Sequence, residues 1–130
     1  MFDWKKPTVE MLGRWQPWHD GHTELFKRAF KKTGQVCIMY RDVAGVDAGV
    51  DGQTDNPFNF EEVKKNIILG LSKHEFHEGK DYVVVKVPNI IDISYGRGVG
   101  YTFTEHDLGK EIHSISATKI RKEMRLKKEI

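Results

Sequence analysis

A chain of 130 residues, 38% hydrophobic and 31% charged, has material for one buried core and reads as one globular domain spanning residues 1–130. It has no apolar run of membrane-spanning length, Met1–Pro7 lacks the apolar stretch of a signal peptide, and a lone Cys37 cannot form an internal disulfide. The expected compartment is the cytoplasm, and a formal charge of +2 calls for neither nucleic acid nor membrane as a partner.

Thr8–Leu12 is a short apolar run closed by Gly13, which predicts a buried strand ending in a turn. Leu25, Phe26, Ala29 and Phe30 recur at helical spacing until Thr33 and Gly34 stop them. Gln35–Tyr40 is again strand-like, with Cys37 as a small buried residue. Asp42–Pro57 follows, rich in glycine and aspartate and containing the tandem tetrad 44-AGVD-AGVD-51; it predicts a mobile loop. Its acidic spacing does not suit a calcium loop.

Asn59 with Glu62 forms a capping-box variant, Phe58 and Val63 a staple around it, and Phe60, Val63, Ile67 and Leu71 the apolar stripe of a second helix. Tyr82–Val87 predicts a third strand stopped by Pro88. Gly96, Gly98 and Gly100 punctuate a second long loop, and Tyr101–Thr104 reads as a short strand. Ile115 and Ile120 flank Ser116 at the start of a terminal helix running to about Lys128. Alternating strands and helices predict an α/β fold with a mainly parallel sheet, whose ligands collect at the carboxyl ends of the strands.

That rule singles out 13-GRWQPWHDGH-22, the turn from the first strand into the first helix. Free N–H groups at a helix start favour anions, and His19 and His22 add imidazole donors, stronger when protonated. Gly21 leaves room for a phosphate to approach the backbone. In 115-ISATKIR-121, Ser116, Thr118, Lys119 and Arg121 make a second phosphate cradle at the last helix start. Trp15 and Trp18 are equally suited to stacking on a ligand or to packing. The pair His74 and His77 is a polar connector more readily than a metal site. The basic tail Lys119–Lys128, six basic residues against Glu123, reads as a solvated helix face.

His19-Asp20-Gly21-His22 resembles the HxGH signature of the nucleotidyltransferase (cytidylyltransferase-like) superfamily, and Ile115–Arg121 its ISSTxxR-type second motif. Trp-Gln-Pro before that signature, 56-NPF-58, 87-VPNI-90 and 95-YGRGVGY-101 also resemble small cytidylyltransferase-like domains sometimes fused to adenylylsulfate kinases. GRWQPWH looks like the GRFQPFH form of archaeal nicotinamide-mononucleotide adenylyltransferases, which tilts the nucleotide toward ATP over CTP.

The resemblance implies a Rossmann-like three-layer α/β/α sandwich. It also implies transfer of a nucleoside monophosphate from a triphosphate to a small phosphorylated or anionic acceptor, with pyrophosphate leaving. By resemblance His19, His22 and Arg121 are the catalytic set, and Gly13, Arg14, Trp15, Gly21, Ser116 and Thr118 contact nucleotide or phosphate. Arg41 and Arg97 are acceptor candidates; no protein metal site is implied, and Mg2+ arrives with the triphosphate. Relatives often dimerise, so a homodimer stays open. Ala117 departs from the second motif, and 111-EIHS-114 lacks the Arg-Thr-x-Gly run of well-studied cytidylyltransferases. Three alternatives stand beside this expectation: a CTP-using enzyme making a CDP-alcohol or CMP-sugar type product, a non-catalytic nucleotide sensor, and a nucleic-acid module acting through the tail.

Overall fold

The computed structural model describes residues 1–46, 54–113 and 117–130. Strand β1 (Val9–Gly13), helix α1 (Asp20–Thr33), strand β2 (Val36–Arg41), helix α2 (Phe60–Ser72) and strand β3 (Tyr82–Val87) follow in order, then helices α3 (Lys110–His113) and α4 (Ala117–Leu126). The strands form one open parallel sheet in the order β1-β2-β3, with Met11 opposite Ile38 and Ile38 opposite Val84. With its crossover helices this is the parallel α/β arrangement that the chain pattern predicts, Rossmann-like as the resemblance implies.

Strand alternation decides which face is filled. Met11, Val36, Ile38, Tyr40 and Tyr82 point to one side, where they meet Phe26 and Ala29 of α1 and Val63, Ile67 and Leu71 of α2 in a single core. Both crossovers step across the sheet in the same direction, and right-handed connections of that kind put their helices on one face. The opposite face, with Leu12, Cys37, Met39, Val83 and Val85, is half-buried. The second helical layer of a three-layer sandwich is therefore not made by these two crossover helices. Cys37 lies on that half-buried face rather than in the core, and burial next to Glu10 raises its thiol pKa.

Helix boundaries follow local chemistry. Helix α1 stops at Gly34, which takes φ 80° and returns its N–H to the Phe30 carbonyl. Helix α2 starts on the Asn59–Glu62 capping box that the sequence signals. Beside β1, the buried Gln35 amide holds both the N–H and the carbonyl of Asp3 and the Thr8 hydroxyl, fixing the entry into the strand.

One expectation is corrected. Tyr101–Thr104 is not a strand: it lies in an exposed, irregular segment after β3, following Gly96, Gly98 and Gly100, and pairs with no edge of the described sheet. The terminal helix begins at Ala117 and ends at Leu126, with the short α3 before it. Ile115 and Ser116, and residues 47–53 of the aspartate-rich linker, lie outside the described residues. Among the described residues no helix is long and apolar enough to cross a membrane.

Candidate functional site

The turn between β1 and α1 is fixed by its aromatic residues. Trp15 takes φ 52°, and its indole folds back across Gly13, where a Cβ would sit 2.8 Å from the ring. The absence of a side chain at Gly13 thus serves the packing of Trp15. The indole is 6% exposed and donates its Nε1–H to the Met39 carbonyl at 3.1 Å. Its ring faces are taken by Trp18, 5.0 Å away between centroids, and by the edge-on imidazole of His22 at 4.8 Å. Trp15 is therefore part of the core, the packing role that the sequence allows beside stacking on a ligand. Trp18 is equally buried; its indole N–H goes to the Thr23 hydroxyl, and its ring lies against Gly70 of α2.

The two histidines build the start of α1. His19 is the N-cap, and its Nδ1 accepts the Gly21 N–H at 3.0 Å. His22 reaches back so that its Nδ1 accepts the His19 N–H at 3.1 Å. This is a capping box made from two imidazoles, where serine or aspartate and glutamate are usual. The rings stack at 3.6 Å between centroids with 19° between planes.

Because each Nδ1 accepts a hydrogen bond, each neutral ring carries its proton on Nε2. Burial drives the His22 pKa down to about 3, and the neighbouring His19 adds to the fall. Burial lowers His19 too, opposed by Asp20. Both rings are neutral donors near pH 7 in the free protein, not the protonated pair that would bind phosphate most strongly. Gly21 has a part in this packing as well. A Cβ there would lie 2.8 Å from the His19 ring, so the missing side chain makes room for the imidazole.

The second motif comes to the same turn. Arg121, 2% exposed, donates from Nη1 to the Gln16 carbonyl at 2.7 Å, across 105 residues of sequence. Its Nη2 reaches the Thr118 hydroxyl at 3.2 Å and the Asp55 carboxylate at 3.4 Å. Burial pulls the Arg121 pKa down; Asp55 opposes this, and the charges of Arg14 and Arg125 add to the fall. Arg14 itself donates to the Asn56 side-chain oxygen at 3.1 Å. Ile112 of α3 packs 3.6 Å from the Cβ position of Gly21, closing the histidine end. His19, Gly21, His22, Arg14, Thr118 and Arg121 are thus gathered around one turn, while Ser116 lies outside the described residues.

Arg41 and Arg97 are not part of that cluster. Arg41 ends β2 on the half-buried sheet face, with Nη1 3.4 Å from the Ile90 carbonyl and a buried Nε that has no partner among the described residues. It lines a cleft of about 410 Å³ with Leu12, Ile90, Ile91, Asp92, Ile93 and Phe103. Arg97 is exposed in the irregular segment after β3, and no contact among the described residues links it to the cluster.

Gln16, Asp55, Asn56 and Arg125 escape the sequence reading. The buried Gln16 amide exchanges hydrogen bonds with both the N–H and the carbonyl of Phe58, tying the turn to the segment after the linker. Asn56 is 1% exposed. Gln16 and Asn56 each stand inside a recognisable motif, but partners more than forty residues away leave no local signal.

No protein-family model matches the chain. A nicotinamide-nucleotide adenylyltransferase of Methanococcus aeolicus is 30% identical to it over 81 residues, which are 62% of this chain and 41% of that protein. The chain thus matches about two fifths of the length of this curated relative. Together with the parallel sheet and the two motifs meeting at one turn, that similarity supports the resemblance of this chain to the cytidylyltransferase-like nucleotidyltransferase superfamily.

Proposed function

We propose that this chain is a nucleotidyltransferase that moves a nucleoside monophosphate, AMP in preference to CMP, from a triphosphate to a small phosphorylated acceptor. The observation that carries the reading is the anchoring of Arg121 of α4 on the Gln16 carbonyl, inside the same turn that leads into the stacked imidazole pair at the start of α1. An oxygen of the acceptor attacks the α-phosphorus, its bond to that phosphorus forms, and the bond to the bridging oxygen of pyrophosphate breaks. This chemistry needs positioning and charge stabilisation rather than an enzyme nucleophile. The Nε2–H groups of His19 and His22 would donate to the α- and β-phosphate oxygens. Arg14, Arg121 and Thr118, with Ser116 by resemblance, would hold the departing pyrophosphate.

Among the described residues no three His, Cys, Asp or Glu side chains are grouped to hold a metal. A magnesium ion arriving with the triphosphate would be held by its oxygens and water, where it would offset phosphate charge. The cleft at Arg41 would seat the acceptor: a guanidinium with an unpartnered Nε suits an anionic group, and Ile90, Ile91, Ile93 and Phe103 suit an apolar body. The activity for which the Methanococcus aeolicus relative is named favours ATP as donor and a nicotinamide nucleotide as the first acceptor to try.

The test is pyrophosphate release with Mg-ATP or Mg-CTP against nicotinamide mononucleotide, phosphorylated alcohols and sugar phosphates. Release that needs both a triphosphate and one acceptor is expected. Tight triphosphate binding with no release for any acceptor would make the chain a nucleotide sensor instead.

A further inference from the structure

Three consecutive residues near the end of the linker meet three arginines in order. The Thr54 carbonyl accepts from Arg125 Nη2 at 2.5 Å, the Asp55 carboxylate from Arg121 Nη2 at 3.4 Å, and the Asn56 side-chain oxygen from Arg14 Nη1 at 3.1 Å. The arginines come from two distant parts of the chain, the turn after β1 and helix α4. We propose that Thr54–Asn56 is an internal ligand of this arginine cluster: its own oxygens occupy the seat of an incoming polyphosphate, which binds only by displacing it. The proposal rests on the reading of the site as a triphosphate site and adds the group that competes for it.

Three features support displacement over permanent bracing. First, a carbonyl, a carboxylate and an amide oxygen present arginine with the acceptor chemistry that phosphate oxygens present. Second, among the described residues the charges do not balance, because the strap sets one carboxylate, 43% exposed, against three guanidiniums. Third, the cluster is short of acceptors. Among the described residues, Arg121 Nε and Asn56 Nδ2 are buried donors without a partner. Buried donors are rarely left so, and a polyanion with several oxygens would supply what the strap lacks.

The contacts of Arg121 also differ in kind. The 2.7 Å bond to the Gln16 carbonyl anchors the guanidinium from beneath. The 3.4 Å approach of Asp55 is long for a charge-assisted bond, so it is the contact that yields. An internal ligand taxes affinity by the fraction of molecules in which it is seated. Removing its charge should therefore tighten polyphosphate binding, whereas loss of a residue that touches the ligand weakens it.

The experiment is calorimetric titration of the whole chain with inorganic tripolyphosphate, and separately with Mg-ATP, for the wild type, Asp55→Asn and Asp55→Ala. Circular dichroism checks that each variant is folded. Both substitutions should bind tripolyphosphate about two- to fivefold more tightly, the size expected for a partly exposed ion pair. If the wild type binds Mg-ATP but both variants bind tripolyphosphate no better than it does, the internal ligand is overturned and the proposed function stands. If no protein binds either compound, the triphosphate reading falls and takes this proposal with it. Binding by the variants alone would be its strongest support.

Discussion

His19 and His22 lie ring on ring at 3.6 Å while each Nδ1 holds a backbone N–H of the helix that carries them. Cap and proposed reaction centre are therefore the same two rings, Nδ1 serving the one and Nε2–H the other. The backbone fixes both tautomers and leaves both Nε2–H groups as donors, and this pre-organisation is what stabilisation of developing phosphate charge requires.

His22→Ala should lower turnover of the proposed reaction on the order of a hundredfold or more, because it removes one of those donors. It also frees the His19 N–H, at a cost of about 1 kcal/mol in stability. Steady-state kinetics and thermal unfolding of the same preparation would check both. Near-normal turnover in a folded variant would remove His22 from the site.

Stability should fall on acidification through the ordinary histidine range. The folded-state pKa of His22 is lowered to about 3, and that of His19 is lowered as well, from 6.5. Between these values the unfolded chain binds more protons than the folded one. The contribution of both rings is thus complete above pH 6.5 and shrinks as pH drops toward 3. Urea unfolding at about pH 7.5, 6.5 and 5.5 should show decreasing stability, with a shallower slope for His22→Gln. A flat profile would mean that the imidazoles are not buried as described.

Gly21→Ala tests whether His19 needs the empty space beside it. Alanine is the better helix former by about 1 kcal/mol, so a purely structural role would leave the variant as stable as the wild type or more so. A Cβ 2.8 Å from the His19 ring should instead push that ring off its cap and its stack. The expected outcome is turnover reduced about tenfold or more, with unfolding free energy altered by less than about 1 kcal/mol. A stabilised and fully active variant would show that the ring moves aside freely.

Trp15→Phe separates packing from ligand stacking. Loss of the indole N–H to Met39 and of ring contacts with Trp18 and His22 should cost about 1–3 kcal/mol. Affinity for ATP, measured by titration well below the melting point, should change little. Weakened ATP binding at unchanged stability would return Trp15 to the nucleotide.

Arg121→Ala should be costly on both axes. The Gln16 carbonyl would lose its charged donor in a buried place, a loss of about 1–3 kcal/mol, and the triphosphate would lose a cation. Arg121→Met, which keeps much of the apolar stem, should restore part of the stability but none of the activity. Recovery of activity by methionine would confine Arg121 to bracing the turn.

Legibility in the sequence tracks the range of the interaction. The three strands and the two long helices are readable because apolar period, caps and terminating glycine are local; the span Tyr82–Val87 agrees to the residue. The site's two motifs are readable as segments. Their junction is not, since Arg121–Gln16 and Arg14–Asn56 join residues 105 and 42 positions apart. Histidine as an N-cap escapes notice because it is not among the residues favoured there. Gly13 and Gly21 read as ligand contacts because nothing local tells space left for a phosphate from space left for a neighbouring ring. Tyr101–Thr104 has strand composition, but composition alone does not supply an edge to pair with.

The span between Gln16 and Arg121 also sets an order of events during synthesis. The first turn can be translated, and much of the sheet paired, before the residue that satisfies its carbonyl leaves the ribosome. Closure of so long a loop is slow compared with local helix formation. A nascent chain released short of α4 would keep its core residues yet carry an open carbonyl and an unclosed anion seat, an architecture in which the fold precedes the function by the length of the last helix.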